Sequence, residues 1–436
     1  MSSRSAIAAA PSTRRWLLYC VLAAAALRIA VLVALRQWRY AFYEDNGTLA
    51  VSLLGGQGYS SQPGYYWFTD VSPTAMIAPF QTLFTVVFYW LFGIRTTAAH
   101  AGMQIAQSVV SALCVVPIYR IGEKLFSERA GRIAALLFVF YPPFIFLTLK
   151  LCSSTWATFV LLWIIYVTLQ ARDAGSWSPH LLLGALWGVM FLLYPTVAIF
   201  AVTSFLWLLW TARKDGAFRM ASRLAVSTGL SLVIVAPWSI RNYLAFHRFI
   251  PFTSGFSYNL FMGNNELATG SQTGFLPVDG VIPNAALAER YPFIGRLRGM
   301  NDEVAVQALF DSSARAFVHE HPGAAARLFL VKLRDYWWFT PYHHTHGSST
   351  EYLYMVSYVA LLAFTFWGIA ALVRERRLLA EVALLALLAI PVSFVYAETS
   401  VGMARFRTFI EPAFMPFAAL GVAMCIDRAH ALWARR

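Results

Sequence analysis

Apolar runs of roughly 17 to 22 residues recur from Trp16 almost to the last residues of the chain, each long enough to cross a hydrocarbon core of about 30 Å as a helix. Ten of them, at 16–36, 101–119, 131–149, 154–170, 181–194, 196–212, 223–238, 353–373, 379–396 and 409–427, are predicted to span a membrane. A further apolar run lies at 76–93. Strands of a membrane barrel would alternate in polarity, and these runs do not. The expected fold is therefore an all-α polytopic membrane protein, a helical bundle forming one integral membrane domain over 1–436. The first run follows Arg14 and Arg15 as a signal peptide would, but no small-residue cleavage site precedes Arg36, Trp38 and Arg39, so it reads as a retained span. There is no internal repeat and no low-complexity tract.

The polar positions between the runs orient them. Arg120, Lys124, Arg129 and Arg132 form one basic cluster, Arg213, Lys214, Arg219 and Arg223 a second, and Arg374, Arg376 and Arg377 a third, all in short loops. The positive-inside preference makes each cytoplasmic, together with an N-terminus carrying Arg4, Arg14 and Arg15. Parity then holds only if 76–93 does not cross, or crosses and returns, so it is expected to lie in or dip into the outer leaflet. About ten spans result, with both termini inside, and the segments 37–100, 239–352 and 397–408 lie outside. The first is expected to be a periplasmic loop with juxtamembrane helices. The second is far more polar, is punctuated by Gly, Asn and Pro, and carries an amphipathic stretch over 302–334, so it is expected to fold as a small periplasmic cap. This is the layout of a bacterial inner-membrane protein whose chemistry faces the periplasm.

Composition narrows the function. With 59% hydrophobic and 13% charged residues, against about 25% charged in soluble proteins, the chain is no soluble domain. Its net charge of +13 does not point to nucleic acid, because the cations sit in loops between apolar runs rather than on one polar face. Cys20, Cys114, Cys152 and Cys425 fall inside or at the ends of spans and make no disulfide framework. His343, His344 and His346 follow the aromatic cluster Tyr336, Trp337, Trp338 and Phe339, but no acid or cysteine completes a zinc set at usual spacing. No metal or other cofactor is expected. The aromatics suit an interfacial belt or a surface against which sugar or lipid lies.

Candidate chemistry sits in the outer segments. Glu44 and Asp45 follow the first span in a chain sparing of acids. Because they are adjacent, their side chains diverge and only one faces a given cavity, so one of the two is the candidate base. Asp70, later in the same loop, is a possible second acid. Arg405 and Arg407 occupy a short outer loop against the topological preference; guanidinium groups bind phosphate bidentately, and the alternative is a pair with Glu398 or Glu411. Arg241 and Lys150 stand at other outer span ends and are candidates to join them, although a lysine there also snorkels. Arg28 falls near the middle of the first span, where a charge needs a partner the sequence does not name.

Taken together, the segments resemble the bacterial membrane glycosyltransferases of the C-type superfamily, relatives of the protein O-mannosyltransferases and the lipid A aminoarabinose transferase. The resemblance runs over nearly the whole chain. It rests on the acid after the first span; on Leu54, Gly55, Gly56, Gly58 and Tyr59; on Pro73, Thr74, Ala75 and Pro79; and on Tyr119 through Gly122, then Tyr141, Pro142 and Pro143. Further on it rests on Pro237 through Tyr243, Gly263, Asn264 and Asn265, and Arg405 through Arg407 ahead of Glu411 and Pro412. It implies an inverting transfer of sugar from a polyprenyl-phosphate donor to an acceptor hydroxyl or amine on a lipid, glycan or protein, with an acidic base in the first loop. It also implies amphipathic helices in that loop, and places Asp70, Tyr59, Asn264 and Asn265 as possible lining of the substrate cavity. Relatives often carry the order Asp-Glu where this chain has Glu44-Asp45, and a basic residue is missing near Thr74 to Pro79. Phosphate binding must then rest more on arginines. The rival readings are a lipid-linked glycan ligase or polymerase and a lipid flippase or transporter.

Overall fold

The computed structural model describes residues 11–40, 45–214, 216–270, 285–338, 349–399 and 405–434. Glu44, the His343, His344 and His346 trio, and the side chain of Arg405 lie outside them. The elements run α1 (Pro11–Leu35), α2 (Asp45–Leu54), β1 (Ser60–Ser61), β2 (Ser72–Pro73), α3 (Pro79–Phe92), α4 (Thr97–Leu113), α5 (Val115–Leu125), α6 (Glu128–Val139), α7 (Pro142–Leu147), α8 (Ser154–Asp173), α9 (Ser178–Leu193), α10 (Ala198–Ala212) and α11 (Ala217–Phe246). They continue with α12 (Phe256–Gly263), α13 (Ala285–Arg290), α14 (Pro292–Arg296), α15 (Glu303–Glu320), α16 (Pro322–Trp337), α17 (Ser349–Arg374), α18 (Leu379–Thr399), α19 (Arg405–Thr408) and α20 (Met415–Trp433). Among the described residues eight helices are long and apolar enough to cross a membrane, and α3 and α9 are shorter apolar helices. At 1.5 Å per residue α3 measures about 21 Å, short of a hydrocarbon core of about 30 Å.

Where the apolar pattern and the helices disagree, proline is the usual reason. The run at 131–149 is not one helix: α6 stops at Val139 and a separate short α7 starts at Pro142. Proline has no N–H, so Pro142 and Pro143 withdraw the donors that Phe138 and Val139 carbonyls would otherwise receive from four residues on. Arg28 supplies them. Its Nη2 donates to the Phe138 carbonyl at 3.3 Å and its Nη1 to the Val139 carbonyl at 3.4 Å, while Nε donates to Ser111 Oγ at 2.9 Å and the guanidinium lies 5.0 Å from the Phe138 ring centroid. The charge buried in the first span is thus an internal cap for a broken helix. Pro391 inside α18 repeats the device, since Thr203 Oγ1 of α10 donates at 3.1 Å to the Leu387 carbonyl left open four residues before it.

Small residues set the closest helix contacts. A Cβ placed on Gly368 of α17 would fall against the Phe417 carbonyl, and one on Gly421 of α20 against the Phe364 carbonyl, so these backbones approach as only glycine permits.

The polar segment begins later than its sequence suggests, because α11 continues through 239 to Phe246 and ends with His247 at φ 51°. The amphipathic stretch of 302–334 divides into α15 and α16 at His321-Pro322. Asp302 caps α15, its Oδ1 accepting from the N–H groups of Val304 at 3.0 Å and Ala305 at 3.1 Å. The helices of this segment pack on the first loop through a core that includes Trp67, Phe68, Tyr258, Phe261, Val306 and Phe310, separate from the main core of the bundle.

Candidate active site

Asp45 is the first residue of α2, where the unpaired N–H groups of a helix start favour a carboxylate. The helix is seated on α3: Thr82 Oγ1 donates to Asn46 Oδ1 at 2.9 Å and pairs with the Tyr59 hydroxyl at 3.0 Å. Tyr59 is buried and also donates to the Ile77 carbonyl at 3.0 Å. The half-buried Asp45 faces phenols. Tyr66 donates to its Oδ2 at 3.4 Å. The Tyr65 hydroxyl is pushed well above the ordinary phenol range, first by burial and then by the Asp45 charge beside it. Tyr258 of α12 is raised by the same two causes in the same order.

A short antiparallel pair carries the loop past this acid. Ser60 and Ser61 pair with Pro73 and Ser72, and the segment from Tyr59 to Ala75 is gripped from two sides. From α11, Arg241 donates through Nη1 to the Thr74 carbonyl at 2.7 Å and through Nη2 to the Tyr59 carbonyl. From α15, the buried Glu303 accepts from the Thr74 hydroxyl at 2.5 Å, the Ala75 N–H at 2.9 Å and the Ser254 hydroxyl at 2.5 Å. Burial raises the Glu303 carboxyl above its usual value, and those three donors and Arg241 oppose the rise. The neighbours of Arg241 explain the run 237–242. Ser239 Oγ donates to the Pro251 carbonyl at 2.9 Å, Asn242 Nδ2 donates to the Ile250 carbonyl at 3.0 Å, and Trp238 Nε1 reaches the Phe252 carbonyl. One turn of helix therefore fastens both the first loop and the chain leaving the bundle.

The structure brings Asp45, Tyr59 and Arg241 around one short strand. Among the described residues, Arg407, Lys150, Asp70, Asn264 and Asn265 have other partners. Arg407 is fully buried, its Nε donating to Glu411 at 2.9 Å and its Nη1 to the Tyr336 carbonyl at 2.6 Å, with its guanidinium 3.6 Å from the Tyr358 ring centroid. Glu411 also accepts from Tyr141 at 2.6 Å and Tyr354 at 3.1 Å. Of the two roles open to Arg407, these contacts match the ion pair. Lys150 is exposed, and its carbonyl accepts from Gln107 Nε2 at 2.7 Å. Asp70 is exposed and accepts from Asn301 Nδ2 at 2.6 Å, so it ties the first loop to the chain ahead of α15. Asn264 and Asn265 are buried and turn inward: Asn264 Nδ2 donates to the Glu398 carbonyl at 2.7 Å and Asn265 Nδ2 to the Phe261 carbonyl at 2.9 Å.

Among the buried charges that sequence reasoning missed, two hold segments that carry candidate residues. Glu303 is one. Lys332 is the other, its Nζ held by the Gly263 carbonyl at 3.1 Å, Asn264 Oδ1 at 3.3 Å and the Glu398 carbonyl at 3.2 Å; burial lowers it to about 8. Both stand in an amphipathic pattern among exposed acids and bases, so only the opening Asp302-Glu303 of a helix hinted at either. Among the described residues no three His, Cys, Asp or Glu side chains converge as a metal set.

Residues 67–240 match the family described as dolichyl-phosphate-mannose-protein mannosyltransferase. The archaeal oligosaccharyltransferase AglB of Archaeoglobus fulgidus, in complex with an inhibitory peptide and a dolichol-phosphate, superposes with a TM-score of 0.56 at 14% identity, over 98% of this chain and 52% of its own. The apo form of the A. fulgidus oligosaccharyltransferase superposes with a TM-score of 0.57 at 17% identity, over 96% and 51%. The chain has the fold of that oligosaccharyltransferase. It spans about half the length of those oligosaccharyltransferases. ArnT of Cupriavidus metallidurans bound to undecaprenyl phosphate aligns over 94% of this chain and 78% of its own at 16% identity, with a TM-score of 0.45 that is too low to weigh on the fold. No curated protein sequence matches. The segment matched by the family begins at Trp67, beside the turn that faces Asp45, and ends at Ile240, beside Arg241.

Proposed function

We propose that the chain is an inverting glycosyltransferase that moves a sugar from a polyprenyl phosphate to an acceptor hydroxyl or amine at the periplasmic face of a bacterial inner membrane. The observation that carries this reading is Asp45, a half-buried carboxylate at the start of a helix shortly after α1, held among phenols under the polar segment of a C-type fold. Asp45 takes the proton of the acceptor as its oxygen or nitrogen attacks the anomeric carbon. The bond from that carbon to the carrier phosphate breaks on the opposite face, and the phosphate leaves with the electron pair. A positioned carboxylate contributes about 10²–10⁴-fold in such a step. Glu44 is the reserve base. Arg405, Arg241 and Lys150 are the candidate cations left to meet the phosphate charge, since Arg407 is matched by Glu411. The transfer is proposed to need no metal.

The reading is tested with labelled sugar on a polyprenyl-phosphate carrier. Asp45→Asn is expected to lose about 10²–10⁴-fold in transfer, and full activity in both Asp45→Asn and Glu44→Gln would remove the acid from the reaction. The likeness to an oligosaccharyltransferase favours a second reading, transfer of a whole lipid-linked glycan. Offering phosphate-linked and pyrophosphate-linked donors in parallel separates the two.

A further inference from the structure

The turn that faces Asp45 holds a backbone conformation that its residue type avoids. Tyr66 has φ 51°, in the left-handed region, which is a strained choice for a bulky aromatic residue and persists only where surroundings enforce it. What enforces it is aromatic packing. The Tyr66 ring meets Tyr65 edge-on at 4.7 Å between centroids and Tyr258 of α12 at 5.5 Å with the planes at 90°. The turn itself closes through the Phe68 N–H donating to the Tyr65 carbonyl at 3.1 Å and the Gly64 N–H donating to the Phe68 carbonyl at 2.8 Å. The result is that two consecutive phenols, which an extended strand would send to opposite faces, share the surroundings of one carboxylate: Tyr66 donates to it at 3.4 Å, and Tyr65 is buried close enough to feel its charge.

Resting on the function proposed above, we infer that Tyr66, with Tyr65 beside it, is a positioning residue for Asp45: the strained turn aims the Tyr66 hydroxyl at the carboxylate, orients it toward the acceptor and holds it in the ionised form that accepts a proton. A phenol donates to an ionised carboxylate and stabilises it, whereas a protonated acid gains less from the same donor. Among the described residues, the titratable and charged groups around Asp45 include Tyr59 ahead of β1, Tyr65 and Tyr66 in the turn and Tyr258 on α12, with Arg241 of α11 and Glu303 of α15 acting at one remove through Tyr59. Glu44 precedes Asp45 in the chain. Because Tyr258 belongs to the polar segment, the same cradle joins that segment to the reacting acid.

The experiment follows release of carrier phosphate against pH in the full-length protein. It uses whichever of a panel of polyprenyl-phosphate hexoses and pentoses the wild-type chain turns over. Loss of a phenol donor makes the ionised carboxylate less favourable, so Tyr66→Phe is expected to move the acidic limb of kcat/KM to higher pH by about one unit while activity on the alkaline side returns toward wild type. Tyr65→Phe is made alongside, so that a variant whose melting shows it has not folded is replaced by one that has. A folded variant with an unmoved limb, whether fully active or weakened equally at every pH, overturns the inference and leaves the role of Asp45 standing. Full activity in Asp45→Asn overturns both.

Discussion

Arg28 shows how a single side chain acts through the backbone. A guanidinium in the middle of a membrane span is expensive unless its donors are taken, and here they are taken by carbonyls that two prolines on another helix left open. The pairing makes a specific prediction. Arg28→Met should lower the melting temperature of the purified protein by the equivalent of about 1–3 kcal/mol, since the buried Val139 carbonyl loses the guanidinium and the Phe138 carbonyl is left with backbone donors alone. In a Pro142→Ala, Pro143→Ala background, where N–H groups return to the i→i−4 ladder, the same substitution should cost clearly less. An equal loss in both backgrounds would mean that Arg28 holds the fold by something other than those carbonyls. Arg407 obeys the same accounting with a carboxylate in place of carbonyls. Its burial is tolerated because Glu411, Tyr141 and Tyr354 complete the network around it.

Helix against helix, the tightest contact is between α17 and α20. It is built where Gly368 and Gly421 let each backbone touch the carbonyl row of the other. Without a hydrophobic driving force inside a bilayer, such close packing supplies much of the association energy. Gly421→Leu should therefore separate these helices and destabilise the protein by about 1–3 kcal/mol or more, read as a lower melting temperature in detergent. Gly229→Leu on α11 serves as the control, because a Cβ there meets nothing within 4 Å and little change is expected. Comparable losses at both positions would show that the α17–α20 contact is not special. The first loop is fastened at this scale as well. Arg241 of α11 and Glu303 of α15 hold opposite sides of one peptide segment, so the loop carrying Asp45 inherits the rigidity of both helices.

For the molecule as a whole, the proposed function puts the basic clusters and the site on opposite faces of the membrane. Lys124 pairs with Asp173 at 3.0 Å, tying α5 to α8, and Arg129 with Asp427 at 2.7 Å, tying α6 to α20, at the face assigned to the cytoplasm. Thr69 is exposed beside the site and Lys214 is exposed in the loop between α10 and α11. In intact cells a membrane-impermeant thiol reagent should label Thr69→Cys above the wild-type background and leave Lys214→Cys unlabelled until the membrane is opened. The reverse pattern would invert the orientation and place the chemistry in the cytoplasm.

Hydropathy along the chain was enough to specify a polytopic helical bundle, because burial in lipid leaves helices as the structure for long, continuous apolar runs. An acid pair stranded after the first span was enough to make Glu44 and Asp45 candidates, and a run of Pro, Trp, Arg and Asn was enough to draw notice to Arg241, though not to the carbonyls it holds. What residue order did not contain was the set of partners. Arg28 and Val139 are far apart in the chain, as are Glu303 and Thr74, and Lys332 and Glu398; no local pattern separates a buried charge from a solvated one on an amphipathic helix. Arg407 illustrates the limit most sharply. A phosphate-binding arginine and an ion-paired one have the same letters around them, and only folding decided that its donors meet Glu411 and the Tyr336 carbonyl, because only folding sets which groups are within reach in a region that water does not enter.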